Sequence, residues 1–291
     1  MPKSYSALRT LKAKYWPLIK SLQTFLLLLT GLAGYMSARC PVFNIGTVLS
    51  VTGSLFISIS GSTVLNMWYD RDIDARMNRT CWRPLPAGII SPPEALRFGL
   101  LISILGIGWA LAIDLLYGAI VFAGLFFDVV IYTIWLKRRT CWSIVWGGIS
   151  GGMPVLAGRA LGLGYIDWIG LALTFAILFW IPTHILTFSM RYFDDYKTAG
   201  VPTFPLTYGF QFTRVTIAIS SVIAAVAMIA AAVGIGMDWG YLRLIGVLSV
   251  GLLGLAIAMS VRPSERVNFG LFKYASLFML GAMVMIVLDV I

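Results

Sequence analysis

The chain cannot fold as an ordinary water-soluble domain. It reads as a succession of apolar stretches, each about 20 residues long, the helical length that crosses a hydrocarbon core roughly 30 Å thick. Nine such runs fall near residues 17–38, 45–66, 95–114, 117–136, 142–160, 166–188, 214–236, 241–261 and 270–290. Hydrophobic residues make up 59% of the chain and charged residues only 12%, against about 25% charged in a typical soluble domain. The expectation is one all-α integral membrane domain, residues 1–291, of nine transmembrane helices in a lipid bilayer. The fifth run is the least apolar: GGISGGMPVLAG is rich in glycine and holds Pro154. Small residues there allow close helix packing or a backbone that faces a cavity.

The net charge of +10 does not call for nucleic acid, because the basic residues sit where topology puts them. The N-terminal segment carries Lys3, Arg9, Lys12, Lys14 and Lys20, and Arg71, Arg76, Arg79, Arg83 and Arg97 follow the second run. Lys137, Arg138 and Arg139 follow the fourth, Arg191, Lys197 and Arg214 the sixth, and Arg262, Arg266 and Lys273 the eighth. The opposite side has Arg39, Arg159 and Arg243. The positive-inside bias places the N-terminus and the even-to-odd loops in the cytoplasm, and the location expected is the inner cell membrane. Cys40, Cys81 and Cys141 form no CxxC pair, which argues against a disulfide framework or zinc site. The start, MPKSYSALRTLKAKYW, lacks a signal-peptide cleavage pattern.

Five of the twelve acidic residues gather on that cytoplasmic side, at the ends of two runs: Asp70, Asp72 and Asp74 after the second, Asp194 and Asp195 after the sixth. If the second helix continues, Asn66, Asp70 and Asp74 at i, i+4 and i+8 share a face. Asp72 points the other way and can pair with Arg76. An amide and two carboxylates in a row suit Mg²⁺, which binds one or two carboxylates and completes its shell with water and phosphate oxygens. In the second stretch His184, Arg191 and Asp195 share a helical face, and Asp194 and Asp195 run into a turn near Gly200 and Pro202. The two acidic ends would clamp a metal, held by Asp70, Asp74, Asp194 and Asp195, and a diphosphate. Arg79, Arg83, Lys137, Arg138 and Lys197 are the cations available for that diphosphate.

The pattern NxxxDxxxD followed by RTxxRPLPxG, here Asn66, Asp70, Asp74, Arg79, Thr80, Arg83, Pro84, Leu85, Pro86 and Gly88, resembles the first motif of the UbiA superfamily of intramembrane prenyltransferases. WYDRDIDARMNRT, YTIWLKRRT, GGISGGMPVLAG and PTHILTFSMRYFDDYKTAGVPTFPLTYG resemble the branch that farnesylates heme. The resemblance runs from about residue 20 to 290. Thr183, Phe193, Thr203, Phe204 and Arg159 depart from that branch at positions able to touch the acceptor pocket.

The resemblance implies nine helices around a central cavity and Mg²⁺-dependent transfer of a prenyl group from a prenyl diphosphate, farnesyl or longer, to a lipophilic acceptor. The acceptor expected is heme; an aromatic quinone precursor, a chlorin or a lipid headgroup are the alternatives within the fold. In this scheme Asn66 assists the acids, Tyr132 steadies an allylic cation, and His184, the single histidine, positions the acceptor or hydrogen-bonds on the metal side. An ion-coupled transporter is the reading from another class, disfavoured because the acids sit at one boundary rather than at the midplane.

Overall fold

A computed structural model describes residues 14–39 and 44–290; Lys3, Arg9, Lys12 and Cys40 lie outside them. A 3₁₀ turn, Trp16–Ile19, leads into α1 (Ser21–Ser37), followed by α2 (Ile45–Tyr69), the one-turn α3 (Arg71–Asp74), α4 (Pro92–Ile113) and α5 (Leu115–Leu125). The helix of α5 runs on as a π-helical segment, Phe126–Leu136. Then come α6 (Ser143–Leu163), α7 (Trp168–Arg191), the short α8 (Phe193–Ala199), α9 (Phe204–Ile235), α10 (Trp239–Val261) and α11 (Glu265–Leu288).

Helices stand at each of the expected runs, and no strand occurs among the described residues. Seven are long and apolar enough to cross a membrane: α2, α4, α5 with its π continuation, α7, α9, α10 and α11. The first has 17 residues in α1, and α6 is long enough but less apolar. Outward faces carry bare aliphatic side chains such as Ile104, Val226 and Val250, a belt that only lipid can cover without cost. The seventh helix starts ten residues earlier than its hydropathy suggests, because Pro205 sits in its first turn and a kink at Gly209 (φ 80°) joins two pieces.

The glycine-rich α6 packs on α1 backbone to backbone. A Cβ at Gly158 would stand 2.0 Å from the Gly31 carbonyl oxygen, and one at Gly34 2.1 Å from that of Val155. Neither oxygen can move without its helix. Gly158→Ala should therefore cost about 1–3 kcal/mol or more of stability, read as a lowered midpoint of thermal unfolding in detergent.

Arg159, one residue on, is buried. It donates from Nε and Nη2 to Asp167, 2.7 Å each, and from Nη1 to the Ser37 carbonyl. Its charge thus ties the far ends of α1, α6 and α7 together. Thr183 hydrogen-bonds Ser221 of α9, and Phe193 packs on Phe210. Thr203 and Phe204, two more of the departures from the branch pattern, border a small cavity.

Candidate active site at the acidic end of the bundle

The α2 ladder carries through its own terminus. Asp70 caps the helix, yet its N–H still reaches the Asn66 carbonyl (2.9 Å), and the Asp74 N–H reaches that of Asp70 (2.8 Å). Asn66, Asp70 and Asp74 consequently line up inward, 8%, 4% and 4% exposed. Asp72 is exposed and takes a two-pronged contact from Arg138 at 2.6 and 2.8 Å; Arg76, the partner expected from spacing, is not involved. The hydrogen bonds from Arg138 hold the Asp72 carboxyl below its usual range. Arg138 thereby braces α3 through both Nη atoms, while its buried Nε makes no hydrogen bond.

Each inward acid carries its own cation. Arg83 Nη1 lies 2.7 Å from Asp74 Oδ2, and the Lys137 ammonium pairs with Asp70. Burial acts to lower the Lys137 pKa, but the Asp70 carboxylate outweighs it, and the ammonium is held above its ordinary value. Without these partners two buried carboxylates this close would repel each other.

The second acidic end is built differently from the expectation. The α7 helix breaks at Tyr192 (φ −105°, ψ 36°), so Asp195 belongs to α8 and no longer shares a face with His184 and Arg191. Arg191 is exposed and lies over the Phe269 ring, 4.1 Å from its centroid. Asp195 is buried, whereas Asp194 and Lys197 are exposed. Asp195 accepts from Asn78 N and Nδ2 (3.3 Å each) and from Arg79 N (3.4 Å). Residues 75–83 therefore touch both acidic ends: Arg83 holds Asp74, and Asn78 with Arg79 holds Asp195.

Arg79 is kept in place by aromatic faces. Its guanidinium carbon lies 5.1, 5.7 and 5.1 Å from the ring centroids of Phe188, Tyr192 and Tyr196. Its buried Nε has no hydrogen-bond partner, and Asp195 Oδ2 stands 4.0 Å away. This is a cation with donor capacity in reserve.

The π-helical segment aligns residues that α-helical spacing would set apart. Nine α-helical residues at about 100° each would leave Asp128 and Lys137 half a turn apart. An i→i+5 ladder repeats its face roughly every 4–5 residues, so Asp128, Tyr132, Thr133 and Lys137 face the same way. Asp128 accepts from Ser62 Oγ and from Asn66 Nδ2 (2.8 Å), and Thr133 Oγ1 lies 2.7 Å from Asn66 Oδ1. The Tyr132 ring takes the Lys137 ammonium 5.6 Å from its centroid. Tyr132 and Lys137 border a small cavity with Ser189, Tyr196, Thr203 and Phe204.

Lys20 is a second group not singled out by motif. It sits at a left-handed turn (φ 44°, ψ 60°) between the 3₁₀ turn and α1, and Thr63 of α2 holds the neighbouring Leu18 carbonyl. Burial, then the charges of Arg83 and Lys137, push its ammonium down to about 8, while Asp128 and Asp70 act the other way. His184 lies on another wall, one turn deeper than Phe188. It is stacked between Trp180 (5.0 Å) and Phe272 (4.5 Å), with Nδ1 3.2 Å from Ser276 Oγ.

The donor set suits a hard divalent cation brought with a phosphate. Asp70 Oδ1 is buried and makes no hydrogen bond; its nearest further cation is Arg138 Nη2 at 3.8 Å. Among the described residues no three His, Cys, Asp or Glu side chains gather closely enough to cage a metal by themselves. Mg²⁺ needs no such cage when water and phosphate oxygens fill its shell.

Residues 27–280 match the UbiA prenyltransferase family. A protein of Archaeoglobus fulgidus named protoheme IX farnesyltransferase is 40% identical over 261 residues, covering 89% of this chain and 91% of its own. Another of that name, from Pyrobaculum arsenaticum, is 39% identical and covers 86% and 90%. One from Rhodopseudomonas palustris is 34% identical and covers 96% and 90%. Among solved structures, a digeranylgeranylglyceryl phosphate synthase superposes with a TM-score of 0.79 at 20% identity, over 97% of this chain and 99% of that one. A UbiA homolog from Archaeoglobus fulgidus bound to GPP and Mg²⁺ gives 0.70 at 17% identity, over 94% and 99%. At such identities these two establish the shared fold.

Proposed function

The chain belongs to the UbiA prenyltransferase family, and from that premise we propose that it transfers a farnesyl group from farnesyl diphosphate to a vinyl group of protoheme IX. It is an integral membrane prenyltransferase; the proposal adds the donor, the acceptor and a site that opens toward the cytoplasm across the inner membrane. The observation that carries the site assignment is the double grip of residues 75–83 on Asp74 and Asp195, which brings two acidic helix ends and their cations to one end of the bundle. The names of relatives near 40% identity over most of the chain support the acceptor.

The diphosphate is received by Arg79, Arg83 and Lys137. Arg79 has an unpartnered Nε, and the other two exchange from Asp74 and Asp70 toward the phosphate oxygens. Asp70, Asp74 and Asp195 would hold a Mg²⁺ that arrives with the substrate, and the ion would supply Lewis-acid stabilisation of the departing group. The exposed Asp194 and Lys197 take no direct part, and Arg138 acts through Asp72. As the allylic carbon loses its diphosphate, the Tyr132 ring, whose face already accepts an ammonium, steadies the positive charge. The vinyl π-bond attacks that carbon, and water adds to the resulting cation beside the porphyrin ring with loss of a proton. The acceptor packs along the aromatic wall of Trp180, His184 and Phe272.

The test is product analysis by mass spectrometry with purified protein, farnesyl diphosphate, Mg²⁺ and a panel of acceptors. The expected product is hydroxyethylfarnesyl heme; prenylation of an aromatic acid with heme untouched overturns the acceptor. A pH dependence accompanies it. Lys20 is charged below about 8 and neutral above, so affinity for the prenyl diphosphate should fall as pH rises through that value. Lys20→Arg, which stays charged, should flatten that fall in a binding titration.

A further inference from the structure

One carboxylate in contact with Asn66 has no part in the scheme above. Asp128 projects from the π-helical segment and accepts two hydrogen bonds on a single oxygen, Oδ2: one from Ser62 Oγ and one from Asn66 Nδ2 at 2.8 Å. On the far side of the same amide, Thr133 Oγ1 lies 2.7 Å from Asn66 Oδ1 and 2.9 Å from the Asp128 carbonyl oxygen. Asn66 and Thr133 are buried, so the amide has little water with which to make other arrangements.

The chemistry of these groups fixes which end of the Asn66 amide is which. Thr133 is indifferent: a hydroxyl can donate to the amide oxygen or accept from the amide nitrogen. Ser62 has one proton, and it is spent on Asp128. An ionised carboxylate accepts only. Turning the Asn66 amide over would set its oxygen against Asp128 Oδ2 with no proton between them, and a buried acceptor facing an acceptor loses its hydrogen bond and adds repulsion. Asp128 alone therefore decides the orientation.

We infer that Asp128 is a positioning residue that locks the Asn66 carboxamide with its nitrogen turned to the π-helical wall and its oxygen kept as an acceptor. That oxygen has two lone pairs. Thr133 engages one, and the second remains for the hard cation that accompanies the diphosphate. The lock depends on the π register: the Thr133 hydroxyl reaches the Asp128 carbonyl five positions back, and both side chains meet Asn66 because the segment is overwide. The inference rests on the reading of Asn66, Asp70 and Asp74 as the cation-binding pole.

The experiment measures Mn²⁺ binding by electron paramagnetic resonance to the full chain in detergent, with farnesyl thiodiphosphate present. The variants are Asp128→Asn, Asn66→Ala and the double substitution. The amide introduced by Asp128→Asn can donate to a turned Asn66, so the lock is lost. The expected result for Asp128→Asn is a 10- to 100-fold weaker Mn²⁺ affinity, about the usual size when a group orienting a metal ligand is removed. In the Asn66→Ala background the same change should cost less than about twofold, because Asp128 acts through Asn66. Asp128→Glu keeps an acceptor-only group and should regain part of the lost affinity.

An unchanged affinity in Asp128→Asn, an equal loss with and without Asn66, or a Glu variant no better than the Asn variant each overturns the inference. A parent protein that binds no Mn²⁺ with the diphosphate analogue overturns the pole itself, a distinct result that removes this inference with it.

Discussion

Asp70→Asn should reduce turnover on the order of 10³-fold, the scale seen when a group that stabilises developing charge in a buried site is deleted, while the protein remains folded. Asp70 is 4% exposed, and its Oδ1 has no hydrogen bond, so nothing else in the fold consumes that oxygen. An amide of the same size keeps the shape and gives Lys137 an oxygen to hydrogen-bond, but it gives a divalent cation one neutral oxygen in place of a charged carboxylate. Steady-state rates over a range of Mg²⁺, with a thermal unfolding curve for each variant, separate loss of chemistry from loss of fold. Turnover within tenfold of the parent would mean that Asp70 serves only to neutralise Lys137.

Lys137→Met is expected to fail in a different way. It removes the partner of a buried carboxylate, and breaking a buried pair from one side costs about 3–5 kcal/mol because the remaining charge is left uncompensated. Thermal stability should drop, and turnover should fall about 10²-fold or more with the loss of a diphosphate contact. Combining Lys137→Met with Asp70→Asn should restore stability, since neither charge is then stranded, and restore no activity. That divergence marks a pair that matters to fold and chemistry separately. Recovery of both together, or of neither, would contradict the arrangement.

The helices and the first acidic motif were legible because each depends on short-range periodicity. Apolar runs of membrane length report themselves, and Asn66, Asp70 and Asp74 stand four apart whether or not a helix end intervenes, since the backbone hydrogen bonds run on through Asp70. What stayed hidden depends on departures from the α period. Hydropathy does not distinguish i→i+4 from i→i+5 pairing in FFDVVIYTIWL, so the alignment of Asp128 with Lys137 could not be read from spacing. The break at Tyr192 carries no glycine or proline to announce it, and it turns Asp195 inward while Asp194 faces out. Lys20 read as one more topological charge because nothing in sequence tells that a left-handed turn puts it among Arg83, Lys137 and Asp128. The close approach of α1 and α6 was visible as glycine content, but not which glycines bear it.

The pairing of Asp74 with Arg83 and of Asp70 with Lys137 makes the resting protein its own counterion supply. A chain so arranged does not depend on a permanently lodged metal for cohesion, and in the proposed reaction a divalent ion would be free to arrive and depart with each diphosphate. Each cycle of the proposed reaction would then be a swap of ionic partners among half-buried groups, with the acids passing from nitrogen to metal while the freed nitrogens take up the phosphate.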